Sequence, residues 1–327
     1  MNYYENNLKI ELFGESHGSE VGVTVYGLPQ GFVPDMDYVQ DMLDRRKAGA
    51  FGTTARVEED RPQIESGLSE SGAVCGPVRA VFPNRNTDST PYRAPIPRPG
   101  HGDYPYFAKT GRFVPGGATS ARKTVGLVFA GALCKQYLAE RGVYISAQLK
   151  KIGNIDASDK ESVKKYLSRL MAEGDSCGGV IECTIHGLPA GFGPVNESKL
   201  EARIASCVFG LPAVKGLEFG AGFAAARMQG SENNDPFYPD GDKLRTRTNN
   251  AGGVLGGMAS GMPVVFSAAF KPTPSIAKEQ DSVNVETWEA VKLKLSGRHD
   301  TCVALRAPVI VESAAAIAIA DTFLEQD

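Results

Sequence analysis

The sequence predicts an α+β fold in which one structural unit is used twice. Three observations carry that expectation. A 21-residue segment recurs at an offset of 160 residues. Alternating β-branched runs precede stretches of helical period in both copies. No apolar run reaches the roughly 18 residues that a membrane-spanning helix requires.

The repeat sets out the elements in order. Residues 14–34 read GESHGSEVGVTVYGLPQGFVP, and residues 174–194 read GDSCGGVIECTIHGLPAGFGP. They align without gaps, with ten identities and the conservative pairs Glu15/Asp175, Val21/Ile181 and Val25/Ile185. In each copy a glycine-rich turn leads into a strand, residues 21–26 or 180–186. The string G-L-P-x-G-F-x-P then stops the strand, because proline removes a ladder donor and glycine admits turn geometries. A helix follows. Tyr38, Met42 and Leu43 share one stripe of residues 37–47, as Leu200, Ile204 and Val208 do in residues 197–209. Further on, the pattern predicts a helix over 123–137 and a strand over 214–219. The apolar stretches 124–134 and 314–323 read as buried helices, and residues 298–300 stand at a strand entrance ahead of the apolar run 302–311. A polar stretch at 154–165, without a long linker, marks the midpoint. The expected architecture is one domain over 1–327, with halves of about 1–160 and 161–327 packed face to face and helices flanking the sheets.

Composition narrows the function. The chain has 327 residues, 42% hydrophobic and 22% charged, with a net charge of -3. That balance excludes a strongly basic nucleic-acid binder but allows a local basic pocket for a small anion. Six cysteines are scattered without a C-x-x-C pair, which points to reduced thiols in the cytoplasm rather than a disulfide framework or zinc site. No membrane association is expected.

The repeat also separates scaffold from chemistry. A duplicated scaffold needs its glycines and prolines twice but a catalytic side chain once. His17 is replaced by Cys177 in the second copy, so His17 is a functional candidate, whereas His186, which faces Tyr26 in the alignment, reads as structural. The match of residues 14–18 to G-x-S-x-G does not imply a nucleophile elbow, since a strand follows it where the elbow needs a helix. Residues 220–225 resemble a degenerate dinucleotide fingerprint without its β-α-β context. His101, between Gly100 and Gly102 and flanked by Arg98 and Asp103, is a loop histidine that its neighbours can tune. Residues 116–122, GGATSAR, run into a helix and form a phosphate cradle from glycines, hydroxyls and a helix N-terminus. The glycine cluster 252–261 lets backbone approach a flat ligand.

Taken together, these segments resemble the chorismate synthase family. The resemblance rests on G-E-S-H-G at 14–18, S-A-R at 120–122 and R-H-D at 298–300 followed by Cys302, Arg306 and Glu312. AVKGLEFGAGFAAARMQGSE at 213–232, NNAGGVLGGM at 249–258 and KPTPS at 271–275 add to it. It covers essentially the whole chain. It implies a β-α-β sandwich core, a homotetramer, and 1,4-anti elimination of phosphate from 5-enolpyruvylshikimate 3-phosphate to give chorismate. It also implies dependence on reduced FMN (FMNH2), supplied by a separate flavin reductase. By resemblance His17 is the acid that meets the leaving phosphate and His101 protonates or hydrogen-bonds the reduced flavin. Asp300 helps flavin N5 accept the ring proton, with Ser16 and Ser120 in the relay. Flavin contacts fall at Thr119, Ser120, Pro212, Ala213, Gly256, Lys271, Pro272, Thr273, Pro274, Ser275 and Arg298. Arg122 would bind substrate, and Arg46 aligns with a basic residue of the substrate or pyridine-nucleotide (NADP) region. The chain departs from the family pattern at Ala118, usually Arg, and Lys123, usually Glu, so weaker, salt-sensitive FMN binding is expected. A flavin- or anion-binding paralogue without the activity is the alternative reading.

Overall fold

The computed structural model describes residues 2–16, 18–54, 58–85, 94–113, 120–195, 198–295 and 299–326. Two five-stranded antiparallel sheets frame the molecule. The first is drawn from β1 (Asn2–Glu5), β2 (Lys9–Gly14), β3 (Glu20–Tyr26), β4 (Gln63–Leu68) and β5 (Val74–Pro83), in the order β1-β2-β3-β5-β4. The second uses β6 (Tyr144–Ile152), β7 (Ile155–Asp156), β8 (Gly179–His186), β9 (Val214–Phe219) and β14 (Val264–Phe270), in the order β7-β6-β8-β14-β9. Three two-stranded ribbons decorate this frame. They pair β10 (Phe237–Asp240) with β11 (Lys243–Thr246), β12 (Val254–Leu255) with β13 (Met258–Ala259), and β15 (Gln280–Val283) with β16 (Ala290–Leu293).

The two repeated segments fold alike. Each central strand, β3 or β8, ends in a glycine with positive φ, 86° at Gly27 and 90° at Gly187. A Cβ there would collide with the carbonyl oxygen of Asn7 or Gly142, so no other residue fits the close approach. The stop that follows makes the same hydrogen bonds twice. Gly31 N donates to Val74 O at 2.9 Å and Val74 N to Phe32 O at 2.8 Å. Gly191 N donates to Ala259 O and Ala259 N to Phe192 O, both at 2.8 Å.

The helices are α1 (Met36–Arg46), α2 (Asp103–Thr110), α3 (Thr124–Ala139), α4 (Lys160–Glu173), α5 (Leu200–Phe209), α6 (Gly230–Asn233) and α7 (Pro308–Gln326). Four of them occupy the space between the sheets. α3 packs on β2, β3 and β5, α7 packs on β6 and β8, and α3 and α7 pack on each other, with α1 beside α3 and α5 beside α7. This is the β-α-β sandwich that the family resemblance implies, and it corrects the reading of helices on the outer sides of the sheets. Residues 124–134 of α3 and 309–322 of α7 are buried on every face, and a helix apolar all round can only be interior. The run 302–311 is also not a strand. It is a 3-10 turn, Val303–Arg306, and the first turn of α7, where Pro308 suits the helix start and the alanines beyond it favour helix. Likewise β9 leads into a 3-10 turn, Gly222–Arg227, and not into a nucleotide-binding helix. No helix of the described residues is long and apolar enough to cross a membrane.

One buried carboxylate locks the middle layer. Glu312 of α7 accepts two bonds from Arg45 of α1, at 2.6 and 3.0 Å, one from Lys135 of α3 at 2.7 Å and one from the backbone of Ala147 in β6 at 3.0 Å. Burial would raise this carboxyl, but Arg45 and Lys135 outweigh burial and hold it below its ordinary value. Its stabilisation is therefore complete above the ordinary carboxylate range and is lost as pH falls through the depressed folded value. Glu312→Ala should destabilise the fold by about 3–5 kcal/mol, since it strands Lys135 without its partner. It should also flatten the acid limb of stability against pH. Urea unfolding across pH 3–7 measures both, and an unchanged acid limb would refute the role.

Candidate active site

The site begins at Asp60, which is buried and held at φ 50°, an uncommon backbone state for a non-glycine residue. Its two carboxylate oxygens accept from two arginines, Arg46 at the end of α1 and Arg122 just before α3. Burial would raise the Asp60 carboxyl, but the two guanidinium groups hold it below its ordinary value. Burial also pushes Arg46 down to about 10, which leaves it charged at neutral pH. Arg122 sits in a 3-10 turn, Ala121–Lys123, capped by Ser120, whose Oγ accepts from Arg122 N at 3.2 Å. Arg122 Nε donates to Asn84 Oδ1 at 2.9 Å. Asn84 in turn donates to the carbonyls of Glu15 and Gly18, each at 3.0 Å, which fastens the turn that carries Ser16 to the arginine.

Opposite stands Asp300. It accepts from Thr54 N at 2.9 Å and from Arg306 Nη2 at 2.6 Å. Between these groups lies a cavity of about 180 Å³, lined by Arg46, Arg122, Arg306, Ser120, Thr273 and Asp300, with Asp60 and His299 also on its wall. Arg46 Nε, Arg122 Nη2, Arg306 Nε and Thr273 Oγ1 are buried without a hydrogen-bond partner among the described residues. Four orphaned donors around one space are what a bound anion would satisfy. α3 and α7 both start beside the cavity, and their dipoles add positive potential there.

His101 lies on an adjoining network. Its Nδ1 is 2.7 Å from Asp103 Oδ1 and 3.0 Å from Arg98 Nη2. Arginine only donates, so the shorter, charge-assisted contact fixes the sense: Nδ1–H donates to Asp103, and Nε2 is the nitrogen left as acceptor. Arg98 grips Asp103 in a fork at 2.7 and 2.8 Å and donates to Ser275 Oγ at 3.1 Å. Burial would raise the Asp103 carboxyl, yet Arg98 and His101 hold it far below its ordinary range. Burial, with Arg98 nearby, lowers the His299 imidazole.

The structure thus brings Arg46, Ser120, Arg122, Thr273 and Asp300 to one cavity. Segment 271–275 joins it to His101: Lys271 donates to the Gly100 carbonyl, Ser275 accepts from Arg98, and Pro272 and Pro274 hold the chain between them. Ala213, at φ 71°, accepts from Lys271 N at 2.9 Å. Pro212, Ala213 and Gly256 do not line the cavity, Gly256 being at the tip of the β12–β13 ribbon. His17, Thr119 and Arg298, and with them Ala118, lie outside the described residues. Asp60 and Asn84 were not foreseen. Asp60 belongs to the run Glu58-Glu59-Asp60-Arg61, which reads as a solvated face, and Asn84 merely follows a strand end.

A sandwich of two sheets around helices carries, at the helix starts, a cavity walled by buried arginines whose charge suits a small anion. Comparison with known proteins gives the same answer in finer terms. The profile of the chorismate synthase family matches residues 8–324. The chorismate synthase of Chitinophaga pinensis is 44% identical over 330 residues, covering 99% of this chain and 97% of its own. That of Thermococcus kodakarensis is 42% identical over 343 residues, covering 98% and 96%. A crystal structure of a chorismate synthase superposes with a TM-score of 0.76 at 26% identity, covering 99% of this chain and 93% of the other. The chain belongs to the chorismate synthase family and is a lyase of that family.

The orphaned donors can be tested without turnover. Arg122→Lys keeps the charge but loses the second guanidinium nitrogen. It should weaken inorganic phosphate binding by about 10- to 150-fold, the equivalent of one charge-assisted hydrogen bond. Calorimetric titration of both proteins decides it, and equal affinities would remove Arg122 from the anion site.

Proposed function

We propose that the protein converts 5-enolpyruvylshikimate 3-phosphate to chorismate by 1,4-anti elimination, with reduced FMN as cofactor. In that reaction the ring C–O bond to phosphate and a ring C–H bond break, a second ring double bond forms, and no net oxidation occurs. The observation that carries the reading is the set of unpartnered guanidinium nitrogens of Arg46, Arg122 and Arg306 around one cavity. Substrate and FMN are both polyanions, and planar guanidinium forks match phosphate and carboxylate geometry. Reduced FMN, when bound, would supply reducing power and a basic nitrogen, and the guanidinium groups of Arg46, Arg122 and Arg306 could hold its anionic end.

The remaining steps belong to this chain. Arg46, Arg122 and Arg306 hold the anionic groups and screen the charge that develops on departing phosphate. Ser120 and Thr273 offer hydroxyls at the same wall. Asp300, fixed by Thr54 N and Arg306, holds a carboxylate where it can take up a proton. His101, fixed in one tautomer by Asp103, presents Nε2 for proton exchange. His17 is proposed from the family resemblance as the acid for the leaving phosphate. The same resemblance supports a single domain built of two like halves, a homotetramer, a cytoplasmic location and a separate flavin reductase. Ala118 and Lys123, where the family usually has Arg and Glu, favour the second reading, an anion- or flavin-binding paralogue.

Anaerobic turnover with chemically reduced FMN separates the two. Chorismate formation supports the enzyme, and FMN binding without product supports the paralogue. His101→Ala and His17→Ala should each lower kcat by about 10²- to 10⁴-fold, the span of one general acid–base contribution. Near wild-type rates in both variants would overturn their roles.

A further inference from the structure

Asp60 stands between two arginines of the anion cavity and belongs to neither of the segments that carry them. Its side chain is 1% exposed, and those of Arg46 and Arg122 are each 5% exposed. Its two oxygens accept from different arginines, Oδ2 from Arg46 Nη2 and Oδ1 from Arg122 Nη1. The backbone reaches this point with φ at 50°, a state that aspartate and asparagine tolerate better than most residues. The nitrogens that Asp60 does not take can be followed one by one. Arg46 Nη1 donates to Thr124 Oγ1 at 3.4 Å, and Nε is left without a partner among the described residues. Arg122 Nε donates to Asn84 Oδ1 at 2.9 Å, and Nη2 is left in the same way. A carboxylate held in a fork needs two nitrogens of one guanidinium. Neither arginine has two to spare. One nitrogen from each, with Arg306 Nε on the same cavity, suits a phosphoryl group, whose terminal oxygens point in different directions. The three cations are close enough to repel: burial lowers the Arg46 pKa, Asp60 opposes that, and Arg306 and Arg122 lower it further.

We propose that Asp60 is a positioning residue that makes the cavity prefer a phosphoryl group to a carboxylate, by spacing Arg46 and Arg122 and taking one nitrogen from each. Position and charge pull in opposite directions here, which makes the role testable. By charge alone, removing Asp60 would tighten the binding of every anion, because a negative group would leave the wall. By position, its removal harms phosphate selectively. Asparagine keeps the backbone state but has one acceptor oxygen, and its amide nitrogen cannot accept from the second arginine. That arginine regains a pair of nitrogens on one guanidinium, and the two like charges move apart. A carboxylate then gains a fork, and a phosphoryl group loses one of its converging donors.

The inference rests on the proposed reading of the cavity as an anion site, and its test needs no turnover. Wild type, Asp60→Asn and Asp60→Glu are titrated calorimetrically with inorganic phosphate and with acetate. Glutamate keeps the charge and both ion pairs, but its extra methylene displaces the two guanidinium groups, so it decides the matter should the asparagine variant not fold. Phosphate affinity should fall by about 10- to 150-fold in each variant, the equivalent of one charge-assisted hydrogen bond. Acetate affinity should not fall, so the preference for phosphate over acetate drops by the same factor. Tighter binding of both anions by Asp60→Asn would show that Asp60 acts through its charge alone. Proportionate weakening of both anions would show a structural role only. Unchanged phosphate affinity in Asp60→Glu would remove the spacing. Each of these three results overturns the proposal. Wild type that binds phosphate but forms no chorismate under anaerobic conditions with reduced FMN would sink the proposed activity and leave the role of Asp60 standing. Wild type that does not bind phosphate would sink the role of Asp60, and turnover would still decide the activity.

Discussion

The structure hangs on the contact between α3 and α7. Each helix is buried on every face over most of its length, and each covers one sheet while the other covers its back. The contact is close because Gly131 faces Ser313, where a Cβ on the glycine would strike the Ser313 side chain and backbone. Glu312, the neighbour of Ser313, draws Arg45, Lys135 and the β6 backbone to the same level. The loops at the helix starts inherit this rigidity. Ser120 and Arg122 lead into α3, and Asp300 and Arg306 lead into α7, so packing in the centre sets distances across the cavity.

Charge explains why those loops hold a cavity open. Three arginines and Lys47 line it against Glu58, Asp60 and Asp300. Asp60 neutralises part of the repulsion between Arg46 and Arg122, and Asp300 binds Arg306. A buried charge with its partner removed is costly, so each carboxylate fixes where its arginine can point. The nitrogens left over are those that the carboxylates do not reach. Full pairing would have closed the site to anions, whereas no pairing would have left cations in the interior that burial would neutralise.

Much of this was legible in the sequence, and the division follows from range. The turn–strand–stop unit could be read because glycine and proline act locally, as at Gly27 and Pro29. The interior helices were legible because residues 124–134 and 314–323 lack a polar face. Their position between the sheets came from the family resemblance, which implies a β-α-β sandwich, and not from the residue pattern, since it depends on how two distant apolar surfaces meet. The strand expected over 302–311 failed for a related reason: a short apolar run does not distinguish strand from buried helix, and Pro308 decided it. At the site, Ser120, Arg122, Thr273 and Asp300 stood in motifs that the family resemblance supplied. Asp60 and Asn84 act by bridging segments far apart in the chain, and neither residue type nor neighbour marks such a role.

The repeat gives two like supports but one cavity, and the difference between its copies shows how. In the first copy the turn is bound through Asn84 to Arg122, and so lies behind the anion wall. In the second, Ser176 Oγ donates to Thr273 O at 2.7 Å and Cys177 N to Thr301 O, so the turn braces segment 271–275 and the Asp300 segment. The two equivalent turns therefore hold opposite walls of the same space. The second copy places Cys177 in the interior, beside the backbone of the Asp300 segment.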